Sequence, residues 1–263
     1  MSTAAATYVE LRTRTVRALL ERLGDDVSVE TIADFEVGGT RHIIPRLRVT
    51  GAYAGHDPIR LGLFAGLHGD EPAGCSALVE LANACVADPS LAAGYELHLY
   101  PVLNPTGYEV GTRVNHAGKD LNREFWRDSS ESEVIAIERE LRANPFAGII
   151  TLHADDTCEG VYGYTHGRVL NEALLAPALE AASRFLPIDR RAVIDGFPAR
   201  AGLICDCFAG VLSAPPEQRP QPFDLIFETP ADADFHAQVE AATSALISIL
   251  KTYPGFISYA QDL

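Results

Sequence analysis

The stretch 61–74, LGLFAGLHGDEPAG, ends an apolar run abruptly in His68, Gly69, Asp70 and Glu71. A histidine and a glutamate in one turn leaving a buried strand can both reach a single cation. Zinc accepts imidazole nitrogen and carboxylate oxygen, and a catalytic zinc needs a third protein ligand plus an open position for water. The HxxE pair alone is a weak motif, so the rest of the chain must supply the context. A second apolar run, GIITLH, ends in His153, and a third, FDLIF, runs into Glu228. Between the first two lies a glycine-punctuated polar segment from Asn104 to Phe125 that gathers Arg113, Asn115, Lys119, Asp120, Asn122 and Arg123. Long irregular segments inside compact domains are often functional. Two arginines in one loop of an acidic protein point to an anionic ligand, because guanidinium recognises carboxylate through planar, bidentate pairing.

These residues need a frame. Val9, Val16, Leu19, Leu20 and Leu23 recur at helical spacing, so the first two dozen residues read as an amphipathic helix stopped by Gly24. Segments 27–37 and 41–51 alternate apolar with polar residues and meet at Gly38 and Gly39, the pattern of an antiparallel pair. A strand over 59–67, a helix opened by Pro72 over 73–86 and a strand over 95–103 follow, and then NPTG reads as a loop. Segment 132–144 is an amphipathic helix and 148–153 a fully apolar strand, while DDTCEGVYGYTHG reads as a second polar loop carrying Tyr162 and Tyr164. Segment 171–186 is helical, 192–211 is strand-like but broken by glycines, and after a proline-rich loop come the strand 223–227 and a final helix from about Asp234 to Lys251. Strands alternating with helices predict an α/β fold over residues 1–263: a single domain, with a mixed, mostly parallel central sheet and helices on both faces. In such sheets ligands bind outside the carboxyl ends of the strands. His68 with Glu71, then His153, then Glu228 all fall there.

Bulk properties narrow the partners. A formal net charge of −15 argues against sequence-independent nucleic-acid binding and against anionic membranes, both of which need a cationic surface. Five cysteines without a CxxC pair fit a reducing compartment, and Cys205 and Cys207, alternating with Asp206 in a strand-like stretch, read as small buried residues rather than ligands. The N-terminal segment lacks the apolar centre of a signal peptide and no run is long enough to span a membrane, so a cytoplasmic protein is expected.

HGDE, RVNHAGKDLNREF, LHAD and FET, in this order, resemble the zinc carboxypeptidase family, near its murein peptide amidases and its succinylglutamate desuccinylase and aspartoacylase branch, over roughly residues 59–250. The resemblance implies that His68, Glu71 and His153 bind one zinc ion and that Glu228 is the general base, taking the proton of a zinc-bound water and handing it to the leaving amine. It implies that Arg113 polarises the scissile carbonyl and stabilises the oxyanion, while Asn122 and Arg123 hold the substrate's free carboxylate. Asp120 fits a supporting role, accepting from the other nitrogen of His68. The peptidase tyrosine usually lies between the third ligand and the base, yet no tyrosine occurs between Arg168 and Glu228. Tyr162 or Tyr164 takes that part, or Glu228 acts alone. Asp206 is a candidate to favour a cationic or diaminopimelate-like side chain. The implied enzyme is a carboxypeptidase or peptide amidase acting on a small peptide. An N-acyl-amino-acid deacylase is the alternative, and a zinc-binding pseudoenzyme without turnover is the reading from another class. The deacylase branch usually adds a C-terminal β domain, and this sequence ends soon after its last predicted helix, which leans the expectation to the peptidase side.

Overall fold

The computed structural model describes residues 15–24, 27–52, 57–206, 208 and 210–261. Its centre is an eight-stranded sheet whose strands lie side by side in the order 28–37, 40–50, 95–100, 59–64, 148–155, 223–230, 162–165 and 203–204. The first two strands, β1 (Ser28–Val37) and β2 (Thr40–Thr50), form the hairpin expected from their alternation, closed by Val37 opposite Thr40. Next come β3 (Ile59–Phe64), β4 (Tyr95–Tyr100) and β5 (Gly148–Asp155), with β3 parallel to both others. The strand β10 (Phe223–Pro230) lies parallel to β5 on one side and antiparallel to β6 (Tyr162–Thr165) on the other. Two-residue strands complete the set: β7 (Val193–Ile194) and β8 (Phe197–Pro198) form a small hairpin, and β9 (Leu203–Ile204) pairs with β6.

Helices cover both faces. One layer is α1 (Val16–Leu20), α2 (Pro72–Ala87) and the long C-terminal helix, Phe235–Gln261, whose buried residues share one apolar cluster with Leu61, Leu63 and Leu99. On the other face, α4 (Ser132–Ala143) packs Val134, Ile137 and Leu141 against Phe64, Tyr100 and Phe146. Coverage on both sides explains why β3 and β5 are apolar almost without interruption rather than alternating. Leu63 sits in register between Leu99 and Ile150 with no exposed surface. Truncating it to alanine would cost about 2–5 kcal/mol.

Several expectations are corrected. The N-terminal helix is described only as the short α1, and Val9 lies outside the described residues, as does Cys207. NPTG is not a loop but opens a helix, α3 (Pro105–Val110), whose cap is the Asn104 side chain accepting from the Gly107 N–H at 2.9 Å. Tyr162 and Tyr164 lie in a buried strand rather than a polar loop, because both rings are needed inside. Cys205 is exposed rather than a buried strand residue. Among the described residues no helix is long and apolar enough to cross a membrane.

One half-buried group gives the fold a pH signature. Asp224 on β10 has an Oδ1 atom with no hydrogen-bond partner among the described residues, and burial pushes its carboxyl up to about 7 against the pull of the Ala214 N–H. A carboxyl raised on folding favours the protonated native state, so its contribution is full below about pH 4 and is lost as pH rises through about 7. The loss is on the order of 2–4 kcal/mol. Urea unfolding should therefore find Asp224→Asn more stable than the parent at pH 8, with the two converging near pH 4. A gap that does not change with pH would contradict this.

Candidate metal centre

The chain runs from β3 to β4 on one side and later returns to β5 on the other, so the order in which parallel strands are added reverses between β3 and β5. That crevice is where open α/β sheets bind ligands, and His68 and His153 meet in it. Their Nδ1 atoms lie 3.2 Å apart. Glu71 lies between them, with Oε1 2.6 Å from His68 Nδ1 and Oε2 2.9 Å from His153 Nδ1. All three residues are buried, and their ligand atoms lie within 4.8 Å of one another.

Close backbone approach makes this possible. A Cβ on Gly69 would lie 2.0 Å from the carbonyl carbon of Gly107, so only glycine lets the turn after His68 lie against α3. Fully buried Asn104 holds the same junction, its Nδ2 reaching the carbonyls of Leu67 and Arg113 at 3.4 Å each.

The electrostatics suit a cation. Burial alone would raise Glu71, but His153 and His68 outweigh it and hold its carboxyl down at about 2. Burial also lowers His153 against the pull of Glu71, the direction that favours the neutral imidazole, whereas for His68 burial is outweighed by Asp120 and Glu71, which raise it. Metal ligands must be deprotonated. Each Nδ1 can donate to its own Glu71 oxygen, and the same two nitrogens, offered as lone pairs together with a carboxylate oxygen, form a nitrogen and oxygen donor set that suits a divalent ion. The residues therefore fit a metal. His68 is oriented from behind: its Nε2 lies 3.1 Å from Asp120 Oδ1. Burial would raise the Asp120 carboxyl, but His68 and then Arg113 hold it well below the usual carboxylate range.

The sheet register aligns the rest. Glu228 stands beside His153 on β5 and opposite Tyr162 on β6, and Ile226 stands opposite Tyr164, so all five share one face. Burial raises the Glu228 carboxyl, and the Glu71, Asp155 and Asp195 carboxylates add to it while Arg113 opposes. A divalent cation bound nearby would pull it back down. Arg113 reaches Asp120 Oδ2 at 3.0 Å and stands 3.7 Å from Glu71. Asn122 is fixed by the Leu212 N–H at 2.9 Å, and Arg123 lies over the Phe208 ring at 5.3 Å. His68, Glu71, His153, Glu228, Arg113, Asn122, Arg123, Tyr162 and Tyr164 line one cavity of about 310 Å³. Asp120 stands behind His68 rather than on that wall.

Asp206 is not brought there: it is exposed and does not line the cavity. Besides Glu71, Glu228, Asp70 and Asp156, the carboxylates that do include Asp155 and Asp195, which sequence reasoning missed. They accept from the hydroxyls of Tyr162 at 3.0 Å and Tyr164 at 2.7 Å. Asp195 and Gly196 both have positive φ, 48° and 80°, and turn the β7–β8 hairpin. The Asp-Gly pair was a legible hairpin signal, but where that hairpin folds to was not.

Residues 58–158 match the family Succinylglutamate desuccinylase/Aspartoacylase catalytic domain. Carboxypeptidase SOL1 of Arabidopsis thaliana is 35% identical over 103 residues, covering 33% of this chain. The match spans only about a fifth of that plant protein, 21%. Among solved structures, a candidate metallopeptidase from Shewanella amazonensis superposes with a TM-score of 0.73 at 24% identity, covering 94% of this chain and 92% of its own. A metallo-carboxypeptidase from Pseudomonas aeruginosa, in complex with (2-guanidinoethylmercapto)succinic acid, gives 0.64 at 18%, covering 94% and 68%. The matched segment carries His68, Glu71 and His153, and the described chain has the fold of these metallopeptidase and metallo-carboxypeptidase structures.

Proposed function

We propose that this chain is a zinc-dependent hydrolase that cleaves an amide bond next to a free carboxylate, as a carboxypeptidase or peptide amidase, with the described fold acting as one catalytic domain. The observation that carries the reading is the shared face of β5 and β10, where Glu228 stands beside His153 in the cavity that also holds Asn122 and Arg123. His68, Glu71 and His153 would hold the metal, and zinc suits this nitrogen and oxygen donor set. When bound, the metal supplies Lewis-acid polarisation of the carbonyl and lowers the pKa of water.

The chain's own residues do the rest. Arg123 and Asn122 grip the substrate carboxylate and set which amide is presented. Arg113 donates toward the carbonyl oxygen as negative charge develops on it. Glu228 takes the proton of the attacking water and returns it to the leaving amine. Asp120 keeps His68 in the tautomer and orientation that offer Nδ1 to the metal. Asp120→Asn should weaken metal affinity about 10–100-fold, read by competition with a chromogenic chelator. Unchanged affinity would remove Asp120 from this role.

The phenols of Tyr162 and Tyr164 already donate to aspartates, which favours Glu228 as the proton donor to the amine. An N-acyl-amino-acid deacylase is the second reading, favoured by the family match over residues 58–158. A binding protein without turnover would need the arginines but not a carboxylate on this strand face. The deciding experiment is hydrolysis of a panel of N-acylated amino acids and short peptides by the zinc-loaded protein, with and without a chelator. Chelator-sensitive release of a C-terminal residue supports the proposal. Loss of the N-acyl group alone favours the deacylase, and no turnover favours the binding protein.

A further inference from the structure

A leaving residue whose carboxylate lies on Arg123 and whose amide faces the metal ligands still has its side chain to place. The cavity wall made by Tyr164, Asp195, Phe208, Val211 and Ile226 carries neither a metal ligand nor an arginine, and is the part left for it. Its position is set from two directions. Ile226 stands opposite Tyr164 and two residues before Glu228, on the same strand face. The Phe208 ring, over which Arg123 lies, packs edge-on against Phe197 of the β7–β8 hairpin at 4.8 Å, and Phe197 meets Tyr164 at 5.9 Å. The hairpin that presents Asp195 is thereby tied to the platform under the carboxylate-gripping arginine.

Phe208, Val211 and Ile226 give this wall apolar surface, and Asp195 gives it a charge. The Asp195 carboxylate accepts from the Tyr164 hydroxyl at 2.7 Å, which orients it without cancelling that charge. The two arginines of the cavity are held elsewhere, Arg113 on Asp120 and Arg123 over Phe208. Turn formation alone does not call for the charge, because asparagine before glycine makes the same hairpin turn. Apolar surface ending in a carboxylate matches the side chains that carry a cation on an aliphatic stem. A neutral side chain would leave the carboxylate unpaired, and an acidic one would meet a like charge.

We infer that Asp195 selects a leaving residue with a cationic side chain, pairing with its ammonium or guanidinium while Phe208, Val211 and Ile226 take the stem. This rests on the amide-hydrolase reading and narrows it, from any residue with a free carboxylate to a basic one. The part expected of Asp206 passes to a carboxylate that does line the cavity. All five residues of the wall lie outside the segment 58–158 that carries the family match. The preference is therefore a property of this chain's β7–β8 hairpin and the elements it packs on, not of the matched segment.

The test uses N-benzoylglycyl-X with X lysine, norleucine or glutamate, since norleucine keeps the lysine stem without its ammonium. Binding is measured calorimetrically to zinc-loaded Glu228→Gln, which needs no turnover, and kcat/KM is measured on the parent. The expected result is affinity and kcat/KM about 10–100-fold higher for lysine than for norleucine, the size of one charge-assisted hydrogen bond, with glutamate lowest. Adding Asp195→Asn keeps the turn and an acceptor for Tyr164 but removes the charge. It should collapse the preference to about twofold by weakening the lysine member. Asp206→Asn, at an exposed position outside the cavity, should leave the preference as it was. Equal binding of lysine and norleucine, a lysine preference that survives Asp195→Asn, or its loss in Asp206→Asn overturns the assignment. The binding preference without turnover by the parent keeps Asp195 as the selecting residue and removes hydrolysis. Binding of no member to the zinc-loaded protein overturns both.

Discussion

Glu228→Gln is expected to lower kcat by about 10³-fold or more while leaving metal content unchanged, since general-base catalysis is worth roughly 10²–10⁴-fold. The substitution is nearly isosteric and keeps the place beside His153 and opposite Tyr162. It also removes a carboxylate that burial and the neighbouring Glu71, Asp155 and Asp195 hold above the usual carboxylate range. Stability should therefore rise slightly or stay level, which separates loss of chemistry from loss of fold. Steady-state kinetics with metal analysis and thermal unfolding on the same preparation reads all three quantities. A variant keeping most of its kcat would exclude Glu228 as the base, and one that lost its metal would recast it as a ligand.

The second large effect belongs to the carboxylate grip. Arg123→Ala should reduce kcat/KM for substrates with a free carboxylate by about 10²–10³-fold, the size expected when one partner of a desolvated, hydrogen-bonded charge pair is removed. Substrates ending in a carboxamide should already be poor for the parent and change little in the variant. The arginine is well placed for this, lying over the Phe208 ring with Nη1 donating to the Asn122 carbonyl at 2.8 Å. Arg123→Lys should recover only part of the loss, because the lysine ammonium cannot reproduce the guanidinium fork. An equal loss for carboxylate and carboxamide substrates would move Arg123 from recognition to general support of the cleft.

The candidate metal ligands were legible because two features coincided: ligand-type residues, and positions where apolar runs give out. His68 shows this well, standing just past β3, whereas His153 lies within β5, two residues before its end. Glu228 was legible for the opposite reason, as a charge in a strand that should have none, and the structure keeps it within β10 rather than past its end. Tyr162 and Tyr164 were misread because glycines around them mimic a loop, and the strand they form is held by pairing with β10, far away in sequence. Asp206 and Asp195 make the same point in contrast. Both are single acidic residues in glycine-broken chain, and only the β7–β8 hairpin's folding over the cleft brings one of them to the cavity.

The central claim is that His68, Glu71 and His153 form a hydrolytic metal centre. Metal analysis of the purified parent and of His153→Ala, with amide hydrolysis followed through chelation and readdition of zinc, tests it most directly. The account predicts about one zinc per parent chain, activity lost with the metal and restored by it, and neither metal nor activity in His153→Ala. Hydrolysis that persists after the metal has been stripped, or full zinc occupancy in His153→Ala, would contradict it.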